Sequence, residues 1–104
     1  MSIPQRGEVW RADLGMMAKI RPVLILSVAF GEYDYALFHV VPHTTAVRGS
    51  QFEVNLNVPW LDQGIFNIQG TQSIPRTYLL RRLGSLDAGQ LALVEASMRR
   101  WLQL

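Results

Sequence analysis

The most constraining stretch of this 104-residue sequence is Arg21-Pro22-Val23-Leu24-Ile25-Leu26-Ser27, a near-continuous apolar run flanked by polar ends. A strand of this kind has no polar set to show to water, so it reads as a central strand of a sheet. Pro22 sits at its start, where a missing N–H is tolerated. The neighbouring segments supply partners. Glu8-Val9-Trp10-Arg11-Ala12-Asp13-Leu14 alternates, with Trp10, Ala12 and Leu14 facing one way and Arg11 and Asp13 the other. Gly15 to Lys19 reads as a short loop, and Met1 to Gln5 as a loose lead-in. Gly31-Glu32-Tyr33-Asp34 is a turn, and Tyr35 to Val41 a third strand. Gln51 to Leu56 alternates cleanly, as an antiparallel strand with one wet face does. Asn57 to Gly64 is a loop, Ile65–Gln69 and Thr71–Ile74 are short strands around Gly70, and Pro75–Gly84 fits a strand or a helical turn.

The final segment is a helix. Asp87 is a good N-cap, Gln90 follows three residues later, and Leu86 and Leu91 are spaced as a hydrophobic staple. Leu91, Val94, Met98 and Trp101 form one apolar stripe, and Arg99 and Arg100 suit the negative end of the helix dipole. Many short strands with one terminal helix argue for a single domain over residues 1–104, mainly β, folded as a small and strongly curved barrel. With 49% apolar and 17% charged residues, the chain has the makings of a packed core. No run is long enough for a membrane helix and no signal pattern opens the sequence, so a cytoplasmic location is expected. The absence of cysteine excludes disulfides, thiolate metal sites and a cysteine nucleophile.

The chemistry concentrates in Val40 to Val54, where a buried strand ends in the polar turn His43-Thr44-Thr45-Ala46-Val47-Arg48-Gly49. Lys19 and Arg21 are the other cations able to reach that place. The carboxylates are scattered singly, and there is no glycine-rich phosphate loop or paired-histidine spacing, so a metal-dependent nuclease is not expected and no cofactor is implied. Lys19, Arg21, His43, Thr44, Thr45, Arg48, Gln72 and Arg76 instead make a set of cations and hydrogen-bonding side chains suited to phosphate oxygens. Each has a plainer reading: Arg21 as the partner of a carboxylate, His43 as a hydrogen-bonded core histidine, the threonines as partners of turn amides, and Arg48-Gly49 as a hairpin turn. The mild basicity, with a net charge of +2, permits nucleic-acid contact without requiring it.

The chain resembles the MazF/PemK/Kid family of toxin–antitoxin ribonucleases. The matching pieces are Arg6-Gly7-Glu8-Val9-Trp10, Arg21-Pro22-Val23-Leu24-Ile25-Leu26-Ser27, Val41-Pro42-His43-Thr44-Thr45, Arg48-Gly49 leading into Phe52-Glu53-Val54, Gln72 and the terminal helix. The resemblance implies an SH3-like β-barrel of the PemK/CcdB toxin type, usually a homodimer, silenced by a cognate antitoxin. It implies metal-independent cleavage of single-stranded RNA to 2′,3′-cyclic phosphate and 5′-hydroxyl ends. Arg21 and Thr44 match the family's catalytic arginine and threonine. His43 is the group there that titrates near neutrality, although regular strand alternation turns it away from Thr44. Lys19, Thr45, Arg48, Gln72 and Arg76 are the expected RNA contacts. The sequence departs from the family in a short Gly15–Ile20 loop without its glutamate–glutamine pair. Gln69 and Thr71 stand where one branch carries an arginine–aspartate pair. The alternatives are a partner-binding toxin, as in the gyrase poison CcdB of the same fold class, and a relative that binds RNA or antitoxin without cutting.

Overall fold

The computed structural model describes residues 3–15 and 19–104. The strands are β1 (Glu8–Asp13), β2 (Ile20–Ile25), β3 (Leu37–Thr44), β4 (Glu53–Val54), β5 (Ile65–Asn67), β6 (Gln72–Pro75) and β7 (Leu79–Ser85), followed by helix α1 (Ala88–Leu102). Single 3-10 turns occupy Ile68–Gly70 and Arg76–Tyr78. The antiparallel ladder runs β4-β5-β3-β2-β1-β7, and β6 shares the edge of β3 with β5. Among the described residues no pairing joins β4 to β7. The molecule is mainly β with one C-terminal helix, as read from the sequence, but the ladder stays open where a closed barrel was expected.

β2 lies in the middle because both of its faces are covered. Leu24 points into one core with Val9, Val41, Phe66, Ile68 and, from α1, Val94 and Met98. Val23 and Ile25 point into the other with Trp10, Ala12, Phe38, Val40, Ile74 and Leu79. Each such buried side chain contributes roughly 1.5–3 kcal/mol, so the apolar run can sit only between two apolar layers.

α1 begins as its sequence dictates. The Asp87 carboxylate accepts the Gln90 amide at 2.8 Å, and the Gln90 side chain accepts the Asp87 amide at 2.9 Å. Val94 and Met98 of the predicted stripe are buried, whereas Leu91 is half-buried and Trp101 lies 43% exposed against the Phe52 ring. Ser97 takes the remaining buried place.

Other expectations shift. The third strand begins at Leu37 and runs to Thr44, because Tyr33 and Tyr35 stand almost wholly in solvent. The strand expected over Gln51–Leu56 shrinks to two residues, since the Glu53 side chain turns back onto the preceding loop and accepts the amides of Arg48, Gly49 and Ser50. Pro4 is fully buried, so the lead-in is anchored at that residue. Pro75–Gly84 resolves into a 3-10 turn and β7, whose pairing with β1 shifts register at Val9/Trp10 and Arg11/Ala12. Such irregularities bend and twist a strand pair. The loop expected over Gly15–Lys19 falls partly outside the described residues, as do Met1 and Ser2. No described helix is long and apolar enough to cross a membrane.

Candidate functional site

The start of β2 and the end of β3 meet. Their ladder runs from Ile25 opposite Val40 to Val23 opposite Pro42, and Arg21 and Thr44 lie just beyond its end, Thr44 pairing instead with Ile65 of β5. On its other side Arg21 pairs with Ala12 of β1. Strand alternation gives Arg21 and Thr44 the same face as Val23, Ile25 and Val40. A cleft of about 400 Å³ opens there, lined by Lys19, Arg21, His43, Thr44 and Thr45 together with Arg11 and Asp62. The structure therefore brings together five of the eight residues singled out from the sequence.

Arg48, Gln72 and Arg76 lie outside this cleft. Arg48 belongs to the loop that Glu53 holds by backbone amides, and its guanidinium also faces that carboxylate. Gln72 is exposed on β6, opposite Val40. Arg76 donates to the Leu79 carbonyl at 2.9 Å and stacks 5.0 Å from the Trp10 ring. Arg11 and Asp62, in turn, were not singled out. Arg11 reads as an ordinary outward residue of β1, and only its pairing with Pro22 carries it to the cleft. Asp62 sits in an irregular loop without periodicity.

The polar atoms at the cleft are already ordered. Thr44 Oγ1 accepts the Ala46 amide at 3.1 Å. With that lone pair engaged, the hydroxyl proton is left to donate outward, toward an anion. Gly64 presses against the same backbone: a Cβ at that position would stand 2.2 Å from the Thr44 carbonyl oxygen and 3.0 Å from His43 Cε1. Only a residue without a side chain allows that approach.

His43 is turned to the face opposite Thr44, as alternation requires, and is 5% exposed with its ring edge-to-face on Phe66 at 5.0 Å. At the end of β3 it still borders the cleft. Burial pushes its pKa below the usual 6.5, an effect that the Asp62 carboxylate partly opposes, so the imidazole is neutral at pH 7 and able to accept a proton. Glu53 is also perturbed. Burial acts to raise its pKa, but the amides of Arg48, Gly49 and Ser50 and the Arg48 charge outweigh it and hold the carboxyl below its usual value.

Arg11, Lys19 and Arg21 thus line one cleft in which, among the described residues, Asp62 is the carboxylate. Among the described residues no group of three or more His, Asp or Glu side chains is arranged to hold a metal ion.

An open antiparallel sheet, a capped C-terminal helix and a cleft at the strand ends lined by Arg11, Lys19 and Arg21 define a small, mainly β protein. The chain belongs to the family of PemK-like, MazF-like toxins of type II toxin–antitoxin systems, whose family model matches residues 5–102. Among solved structures it is similar to the Mycobacterium tuberculosis toxin MazF-mt6, at 32% identity over 93% of this chain and 97% of that one, with a TM-score of 0.78. It shares its fold with an endoribonuclease in complex with its cognate antitoxin from a mycobacterial species (24% identity, 98% and 97% covered, TM-score 0.83). The MazE–MazF structure from Deinococcus radiodurans is similar to the same degree (24% identity, 100% and 99% covered, TM-score 0.82). No match is found among curated proteins.

Proposed function

We propose that this toxin is a metal-independent endoribonuclease that cuts single-stranded RNA, leaving a 2′,3′-cyclic phosphate and a 5′-hydroxyl. The observation that carries the reading is the single cleft that Arg21 and Thr44 line together with Arg11 and Lys19. RNA supplies its own nucleophile, so the protein needs to supply charge and proton transfer rather than a metal-bound water. The 2′-oxygen attacks phosphorus, the bond from phosphorus to the 5′-oxygen breaks, and no water is added.

Arg21 neutralises the charge growing on the non-bridging oxygens of the five-coordinate phosphorus. A guanidinium stays protonated throughout, so it serves as an electrostatic group and not as the proton carrier. The Thr44 hydroxyl donates to one of the same oxygens. Neutral His43 takes the 2′-hydroxyl proton, and a proton from solvent completes the departing 5′-oxygen. Lys19, Arg11 and Thr45 hold the neighbouring backbone. Arg48, Gln72 and Arg76 remain RNA contacts only for nucleotides that run beyond the cleft.

The same reading takes a cognate antitoxin as partner, consistent with the neighbouring structures that contain one, and a homodimer as the working assembly. The strongly bent, open ladder is read as an opened version of the SH3-like barrel.

The test is incubation of the protein with a long mixed-sequence RNA in EDTA, followed by analysis of the ends. Cyclic phosphate ends are expected, together with resistance of any cut site whose 2′-hydroxyl has been replaced by hydrogen. Intact RNA from folded protein would reject the enzyme and leave a binding toxin. Salt-sensitive RNA retention without products would identify the non-cutting relative.

A further inference from the structure

A second and larger cavity of about 650 Å³ adjoins the cationic cleft and shares Thr45 and Asp62 with it. The two differ sharply in chemistry. Arg11, Lys19 and Arg21 line the first, whereas none of the described residues lining the second is cationic. Its polar side chains are the Thr45 hydroxyl, the amides of Asn55, Asn57 and Gln63 and the Asp62 carboxylate, set among the apolar Leu56 and Leu61. A cavity with a carboxylate in its lining and no cation among the described lining residues repels phosphate. Amides and a carboxylate over apolar side chains are instead the set that reads a nucleobase, by hydrogen bonds to its edge and contact with its face.

The walls are fixed in place. The Gln90 side chain of α1 donates to the Asn57 carbonyl at 3.1 Å, Leu61 N–H donates to the Val58 carbonyl at 3.0 Å, and Val58 and Ile65 are buried. Gln90, the partner of the Asp87 cap, therefore braces the loop that forms the cavity.

Resting on the ribonuclease reading, we infer that this cavity is a base-reading subsite for the nucleotide whose phosphate enters the cationic cleft, and that it takes guanine. The choice of base follows from Asp62. A carboxylate has two acceptor oxygens and no donor, and guanine alone among the four bases offers two adjacent donors, N1–H and N2–H, to match them in parallel. Uracil presents one donor between two carbonyls, which the carboxylate repels. Adenine and cytosine present a single amino donor beside a ring-nitrogen acceptor. Asn57 and Gln63, each with donor and acceptor, are available to the remaining edge atoms.

The test is titration of the ¹⁵N-labelled protein with each of the four nucleoside 5′-monophosphates, followed by amide shifts. The inference expects GMP to bind at least about tenfold more tightly than UMP, with the largest shifts at Asn57, Asp62, Gln63 and Gly64. Asp62→Asn removes most of that preference. Equal affinity for all four nucleotides, with shifts confined to the residues around Arg21 and Thr44, would overturn it and leave a phosphate site alone. If the variant does not fold, the comparison of the four nucleotides on the unaltered protein decides by itself. Mapping cut sites in a randomised RNA separates the two readings. Cleavage with no guanine at a fixed position from the cut removes the subsite while the ribonuclease stands, and no cleavage alongside GMP preference removes the ribonuclease while the subsite stands.

Discussion

Helix α1 and the cationic cleft are built by opposite means. The helix is assembled from neighbours in sequence: Asp87 and Gln90 close its first turn on each other, and Val94 and Met98, one turn apart, reach the core together. The cleft draws on separate places, with Arg11 from β1, Lys19 and Arg21 at the start of β2, His43 to Thr45 at the end of β3, and Asp62 from a loop. One region buries apolar surface and the other keeps cations at an opening. The difference teaches that stability and activity should be separable in this molecule, with substitutions in α1 moving one and those in the cleft moving the other.

The sharpest way to break that separation is Gly64→Ala. The added Cβ would have to displace the Thr44 carbonyl and the His43 ring. A misplacement of about 1 Å costs roughly 10²-fold in rate, so single-turnover RNA cleavage should fall by at least about that factor, with the melting temperature reduced as well. Next is Met98→Ala, which empties a place in the core beneath the helix. It should cost about 2–5 kcal/mol in urea unfolding while cleavage per folded molecule stays unchanged.

The pH dependence sharpens the cleft side of the comparison. His43 is buried in its neutral form, so its folded pKa lies below the unfolded value of 6.5. A group depressed in this way stabilises the fold above 6.5, and that contribution is lost as pH falls through the folded pKa. On the proposed mechanism, with the neutral ring as base, cleavage should hold its rate through pH 6.5 and decline only below it, with His43→Gln slowing the reaction and abolishing that limb. The smallest effect belongs to the helix start: Asp87→Ala removes the capping box at a cost of about 1 kcal/mol, read as a lower thermal midpoint with unaltered cleavage.

The same contrast explains what could be read from the residues in order. The helix was legible because capping and periodicity are short-range, and β2 was legible because four consecutive apolar side chains permit no wet face. Arg21 and Thr44 were named through their resemblance to family motifs, but the strand pairing that brings them into one cleft is something that spacing does not reveal. Arg11 and Asp62 gave no signal for the same reason. Arg76 looked available as a bare cation, yet the fold lays it over Trp10. Glu53 looked like the wet side of a strand, and its attraction to three loop amides ended that strand instead. Capping and periodicity were readable because they are regular and local, whereas an irregular loop contact such as that of Glu53, or a partner from another strand such as Trp10 for Arg76, left no pattern to read.

On the proposed mechanism Arg21 supplies the charge for cleavage. The direct measurement is the single-turnover rate of RNA cleavage by Arg21→Ala in EDTA, taken on protein whose melting temperature has been compared with the unaltered chain. A loss of about 10²–10³-fold or more is expected from the folded variant. Cleavage at the original rate by the folded variant would contradict it and move the active site away from the β2–β3 cleft.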